Sequence, residues 1–220
     1  MTLTVAEAIR HRRTVRHYRP DPVPSGLLEE LLMLAVEAPS SWNLQDRSVV
    51  VVSDRAGLDG LAGATGGQPQ PREAPVMLVF VADANAWQAD QSDIHRQARD
   101  NSAWSDEFSA TFEVASVEFQ QGLEAAGLLR EYAVKDAMIA ASFVMLAATS
   151  LGLATSPMNG WNEGQVKKVI GIDDREDLAI ALLMSVGYAA EDRQHPGRRP
   201  QHQNVFYGRY QHRGSDLRSG

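Results

Sequence analysis

The alternation of apolar and polar positions divides the chain into a few strongly apolar elements around a polar middle. Near the start, Thr4 followed by Glu7 has capping-box spacing and opens a short helix through about Arg12, with Val5, Ala8 and Ile9 on its inner side. Val15 and Tyr18 then favour extended chain. Pro20, Pro22 and Pro24 hold off helix until Pro24 enters a first turn, after which Leu27, Leu28, Leu31, Leu32, Leu34 and Ala35 recur at helical spacing up to Pro39. The stretch SSWNLQ at 40–45 has no period and reads as a loop. SVVVV at 48–52 is a continuous β-branched run that predicts a central strand covered on both faces, and APVMLVFVAD at 74–83 predicts a second buried strand. Between them lie a weak helix over 58–64 and the turn-rich GGQPQP at 66–71.

From 87 to 129 the pattern is polar and helix-compatible, which predicts one or two peripheral helices over a pocket or a partner, with too few apolar residues for a deep core. The stretch 131–153 is apolar and alanine-rich after Asp136, so it predicts a long helix buried nearly all round and stopped at Gly152. An extended piece to Pro157, a turn at NGW, a helix over 163–170 and a strand over 178–189 complete the pattern. Strands interleaved with helices imply an α/β or α+β sandwich. A single domain is expected over 1–220, with 87–129 as a variable peripheral segment and 196–220 as an extended basic tail.

Composition narrows the functional classes. A chain of 220 residues builds one core without staples, and the absence of cysteine removes disulfides, thiolate metal sites and cysteine nucleophiles together. The N-terminus lacks the basic and apolar regions of a signal peptide, and the longest wholly apolar stretch, around 137–148, is short for a membrane span and adjoins Lys135 and Asp136. A cytoplasmic protein without a membrane partner is expected. The formal net charge of −7 argues against nucleic acid as a partner, since that affinity comes from many spread cations. There is no H-E-x-x-H, no phosphate-binding P-loop and no G-x-S-x-G, and the six histidines lie mainly in the polar end segments, so neither a metal site nor a hydrolase is expected.

Against that acidic balance, RHRRTVRHYR at 10–19 holds five arginines and no acid. Arg12, Arg13 and Arg16 around the Thr14 hydroxyl suit a phosphate, because guanidinium binds it bidentately and keeps its charge; a solvated basic helix end is the plainer alternative. APSSWNLQ at 38–45 gathers hydroxyls, amides and an indole in one loop, as suits a planar heteroaromatic ligand, though serine and asparagine are also ordinary turn formers. SPMNGW at 156–161 is a polar turn at a strand end, where ligands of α/β sheets gather. PGRRP supplies Arg198 and Arg199 as further phosphate-binding charge. Together the four stretches describe a phosphorylated planar ligand, a description that flavin mononucleotide (FMN) fits.

These stretches, with EAPVMLVFVAD, LAATSLGLATSPMNGW and ALLMSVGYAAED in the same order, resemble the FMN-dependent nitroreductase family from about Val5 to Phe206, with 87–129 divergent. The resemblance implies an α+β fold, a nitroreductase-like three-layer α/β/α sandwich, in an obligate homodimer with two FMN sites across the interface. It implies that Arg12, Arg13, Thr14 and Arg16 contact the FMN phosphate or pyrimidine edge, and that Pro39, Ser40, Ser41 and Asn43 reach the FMN of the other subunit. Gln68 or Gln70 would touch the flavin or ribityl chain. Met158, Asn159 and Gly160 would lie by the ring with a backbone N–H facing N5, and Arg199 and Arg198 would complete the phosphate site. The implied activity takes hydride from NADH or NADPH and reduces a nitroaromatic, quinone or related small-molecule acceptor by ping-pong transfer, with no catalytic side chain. A specialised branch acting on an enone, a halogenated aromatic or its own flavin is the alternative enzyme, and a non-catalytic flavin-binding protein the alternative of another class. Two departures stand out. Asp46 follows Gln45 where proline is common, and is expected near the pocket mouth, disfavouring anionic substrates or pairing with Arg47. Asn159 stands where an acid is common.

Overall fold

The computed structural model describes residues 3–210; the expectations for Met1, Thr2 and the end of the tail, 211–220, lie outside the described residues. Four strands form one antiparallel sheet in the order β1-β2-β4-β3: β1 (Arg47–Val52), β2 (Val76–Asp83), β3 (Ala154–Met158) and β4 (Leu178–Gly187). β2 alternates cleanly between its faces. Val76, Leu78, Phe80 and Ala82 turn to one helical layer, while Met77, Val79 and Val81 turn to the other. In β4 the pairing slips beside Phe80 and Val81, leaving Ala181 as the extra residue, and the inward parity changes from Ala179 and Ala181 to Leu182, Met184 and Val186.

On the first face lie α2 (Ser25–Val36) and α7 (Leu129–Ser150), with α1 (Val5–His11) against α7; on the second lie α3 (Arg55–Ala64) and α8 (Glu163–Val169). Helices on both faces of the sheet make three layers of an α+β domain. α1 opens with the expected capping box: Thr4 accepts from the Glu7 N–H, and Glu7 accepts from the Thr4 N–H at 2.8 Å. A short helix, α4 (Gln70–Glu73), starts inside the stretch expected to be only turns, with Gly66 and Gly67 at positive φ before it. α5 (Ser92–Asp100) and α6 (Asp106–Ala125) are the two peripheral helices.

Three expectations need correction. SVVVV lies in an edge strand: among the described residues β1 pairs only with β2, and Val51 is 36% exposed. A β-branched run fixes extended backbone, but its neighbours are set by chain topology. In α1 only Ala8 is buried; Val5 and Ile9 project outward. α7 is buried along one stripe, Ala133, Ala137, Ala140, Ala141, Val144 and Ala148, whereas Phe143 is 42% exposed. Its 22 residues make it long and apolar enough to cross a membrane, yet this stripe packs on the sheet as core. Small side chains there let the helix lie close to β2 and β4.

Candidate functional site

Beyond Arg12 the chain leaves α1 and runs beside the sheet. Thr14 makes a parallel bridge to Thr155 of β3, and the Val15 N–H donates to the Thr155 carbonyl at 3.1 Å. Three residues later Tyr18 bridges Ala189 antiparallel, while Arg19 N–H donates to the Tyr188 carbonyl and Ala190 N–H to the His17 carbonyl. The two basic ends of the chain therefore meet. Glu191 ties them further, accepting from the Arg16 N–H at 3.0 Å and from Arg193 Nε at 2.8 Å, and these bonds hold its carboxyl below the usual carboxylate range.

Between the two segments lies a cleft of about 340 Å³. Its wall is cationic, with Arg12, Arg13, Arg16, Arg193 and Arg198 around Thr14 and His195. Arg12 donates to the Thr14 hydroxyl at 3.3 Å, and Arg13 turns back to the carbonyls of Arg10 and Arg12. Burial, then the charges of Arg198 and Arg13, pull the Arg12 pKa down; burial and the charges of Arg198, Arg13 and Arg12 pull His195 down. Among the described residues Arg12, Arg13, Arg16 and Arg198 form no ion pair with an acid. Partly desolvated, mutually repelling guanidinium groups without acids fit an anion such as a phosphate.

Along β3 from Thr155 lie the expected residues Gln68, Gln70, Met158, Asn159 and Gly160. Gln70 is buried and donates to Ser156 Oγ at 3.3 Å, while its Oε1 has no hydrogen-bond partner among the described residues. Gln68 donates to the Asn159 carbonyl at 3.1 Å and to the Gly160 carbonyl at 3.4 Å, which fixes the turn after β3. Met158 is 2% exposed with its side chain in the second core, so only its backbone faces the turn. Asn159 is exposed, and Gly160 has φ +85°, a left-handed conformation that glycine adopts without strain. The cleft includes Arg198 in its wall and leaves Arg199 outside it.

Pro39, Ser40, Ser41 and Asn43 lie elsewhere. Their loop sits on the N-terminal half of α7: the Ser41 N–H donates to Asp136 Oδ2 at 2.7 Å and its hydroxyl to Oδ1 at 3.3 Å. Arg12 and Arg13 adjoin Thr149, near the far end of the same helix, about 20 Å from Asp136 by the helical rise. One copy of the chain thus holds the expected residues in two separate groups. Trp42, Asn43 and Gln45 all have positive φ. The Trp42 ring is held against Phe112 and Phe119 of α6, with centroids 4.9 and 5.5 Å apart, in an aromatic cluster that continues to Trp104 and His95.

Sequence reasoning missed Arg193 and Glu191, whose signal was the EDR tripeptide just past the last strand, and Asp136, the last acid before the apolar run of its helix. It also misplaced Asp46, which is buried at 5% exposure and makes no ion pair with Arg47. Arg47 instead sends its guanidinium to the carbonyls of Val36 and Ala38.

The chain is similar in sequence and fold to known proteins. The chain is 33% identical over 193 residues to the NADH dehydrogenase of Thermus thermophilus, covering 86% of this chain and 89% of that one. It is 28% identical over 207 residues to the NAD(P)H-dependent FMN reductase of Bacillus subtilis, covering 92% and 74%. A protein of Exiguobacterium sibiricum solved in complex with FMN shares the fold at 22% identity, with a TM-score of 0.81 over 94% of this chain and 99% of that one. Residues 9–188, which run from α1 through the last strand, match the model of the Nitroreductase family, and the chain belongs to that family of oxidoreductases.

Proposed function

We propose that the chain is an FMN-dependent NAD(P)H oxidoreductase that reduces nitroaromatics, quinones or related acceptors by two-electron ping-pong transfer, as a cytoplasmic homodimer. The observation that carries this reading is the cleft where both basic ends meet, with four arginines that no acid among the described residues neutralises. Arg12, Arg13, Arg16 and Arg198 bind the phosphate, Thr14 adds a hydroxyl, and Arg199 lies next in the chain. Gln68 and Gln70 order the path from that end of β3 to the turn at Met158, Asn159 and Gly160, where the flavin ring would lie with a backbone N–H of the turn facing N5.

Bound there, FMN would supply the two-electron hydride chemistry between NADH or NADPH and the acceptor. The chain's own part is to bind, orient and tune, and no side chain is assigned acid or base work. Two copies are needed because Pro39, Ser40, Ser41 and Asn43 lie far along α7 from the arginines of their own chain. The exposed apolar surface of α1, α2 and α7, with Val5 at 68%, Met33 at 71% and Val36 at 70%, suits burial against a second copy. The aromatic cluster around Trp42 suits planar acceptors by stacking.

The test is the visible spectrum of the purified protein before and after NAD(P)H. A flavin band that bleaches, then returns with a nitroaromatic or a quinone, supports the proposal. Protein that is colourless, and remains so after incubation with FMN, overturns it.

A further inference from the structure

Under the loop at 40–45 is a cavity of about 10 Å³, room for one water molecule, walled in part by Ser41, Asp46, Trp87 and Asp136. Two groups in its wall have no hydrogen-bond partner among the described residues: Asp46 Oδ1 and the Trp87 indole N–H. Asp136 is engaged, receiving both bonds from Ser41. The charged and titratable groups around Asp46 are Asp136 and Tyr132 of α7, Asp83 of β2 and the neighbouring Arg47 of β1. Arg47 is the one cation among these groups: its guanidinium bonds the carbonyls at the end of α2, its Nη1 has no hydrogen-bond partner among the described residues, and its charge opposes protonation of Asp46. Asp136 and Asp83 act the other way on a buried carboxyl. Burial first, and the charge of Asp136 second, push Asp46 up to about 7.

The loop above this cavity is strained, with left-handed Trp42, Asn43 and Gln45 in a span of four residues. Such backbone persists only where its surroundings over-determine it. The anchors are Asp136 on Ser41, the aromatic contacts of Trp42, and the Ser40 hydroxyl accepting from the Gln45 N–H at 2.9 Å.

We propose that Asp46 and Asp136 are positioning residues that act as a pair: Asp136 grips Ser41 as a carboxylate, Asp46 holds a proton that keeps the pair singly charged, and ionisation of Asp46 loosens the loop. The proposal rests on the FMN reading for its consequence, which is that the loop's contribution to flavin binding weakens as pH rises through neutrality. It does not need that reading for its cause, which lies within the protein.

The experiment follows full-length wild type, Asp46→Asn and Asp136→Asn from pH 5.5 to 8.5 by two readouts, near-UV circular dichroism of the aromatic cluster without flavin and the Kd for FMN. In wild type the aromatic signal titrates near neutrality. In Asp46→Asn that titration is absent, and in Asp136→Asn its midpoint falls because the like charge is gone. The ratio of wild-type to Asp46→Asn Kd rises with pH, by up to about tenfold per pH unit above the midpoint, and other titrations cancel in that ratio. A constant ratio with an aromatic signal unchanged by Asp46→Asn overturns the pair. An aromatic titration as described in protein that binds no FMN upholds the pair and removes the FMN reading. Should Asp46→Asn not fold, carboxyl and amide NMR of the wild type decides. An aspartate titrating near neutrality and moving the Ser41 amide supports the proposal; aspartates that all titrate below about pH 5 overturn it.

Discussion

Thr14 and Thr155 face each other across a parallel bridge, one rung beyond the edge of the four-stranded sheet, and this contact brings the arginine run to the chain's third strand. Backbone pairing on either side of Arg16 fixes which way the flanking side chains project. Arg16 lines the cleft, whereas Arg19, past the second bridge, pairs with Asp21 at 3.1 Å and lies over the Tyr188 ring.

The first prediction separates those two arginines. Arg16→Ala removes a charge-assisted contact to the phosphate and is expected to weaken FMN binding by about 1.5–3 kcal/mol, roughly 10- to 150-fold in Kd. Arg19→Ala removes an exposed ion pair and is expected to leave Kd within about twofold. Flavin fluorescence titration of both variants checks this, and equal losses would show that the run does not divide between cleft and surface.

The second concerns Gly187, where β4 ends beneath the N-terminal segment. A Cβ there would sit 2.6 Å from Pro75 Cδ and 3.0 Å from Tyr18 Cδ1, and neither the proline ring nor the buried tyrosine has room to move. Gly187→Ala is expected to cost about 1–3 kcal/mol, a fall of several degrees in Tm for a chain of this size. Gly63→Ala, in the last turn of α3 with nothing within 4 Å, supplies the contrast and is expected to stabilise slightly. Thermal denaturation of the two variants compares them, and a Gly187→Ala variant as stable as wild type would count against the close packing of Tyr18 on β4.

How much of this was legible in the sequence depends on the range of the interactions involved. The capping box at Thr4 and Glu7, the leucine period of α2 and the β-branched run of β1 are local, and each gave its element directly. Order within the sheet is non-local, so the consecutive valines from Val49 to Val52 could not place β1 at an edge, and an apolar α7 could not show which of its sides lacks a neighbour in one copy. The site followed the same division. Arg12, Arg13 and Arg16 were visible as a run of charge and Arg198 as further phosphate-binding charge, but their meeting depends on Thr14 pairing with Thr155 and Tyr18 with Ala189, which are far apart in sequence. Asp46 and Asp136, far apart in sequence, become one unit only when β1 and α7 pack.

The third prediction uses Thr155 itself. Its backbone carries the bridge to Thr14, but its Oγ1 is buried without a hydrogen-bond partner among the described residues. Valine keeps the branched shape and the strand preference while removing the orphaned hydroxyl, so Thr155→Val is expected to raise stability by about 1 kcal/mol. Thr155→Ser keeps the polar atom and loses the methyl group, and is expected to destabilise. Urea denaturation of the two variants gives the sign of each change, and a destabilised Thr155→Val would mean that the hydroxyl has a partner.

The last prediction follows the proton on Asp46 into global stability. An aspartate has an ordinary pKa of 3.8, and Asp46 is raised to about 7 in the folded chain. Between those values the folded state holds a proton that the unfolded state has released, so this residue's contribution to stability is greatest below about pH 4, declines as pH rises towards 7 and is constant above it. At about 1.4 kcal/mol per pH unit the whole decline has a ceiling of about 4 kcal/mol. Glu163 and Asp177, whose pKa values are lowered by bonds to Arg130 and Arg175, act in the opposite sense, but only where pH falls through the ordinary carboxylate range. His195, whose pKa is lowered, adds stability as pH rises over part of this interval, and does so equally in wild type and Asp46→Asn. The stability of Asp46→Asn relative to wild type is therefore expected to rise from pH 5 to pH 8. Urea denaturation of both proteins at the two pH values measures that difference, and a difference that stays constant would show that Asp46 is ionised in the native protein at neutral pH.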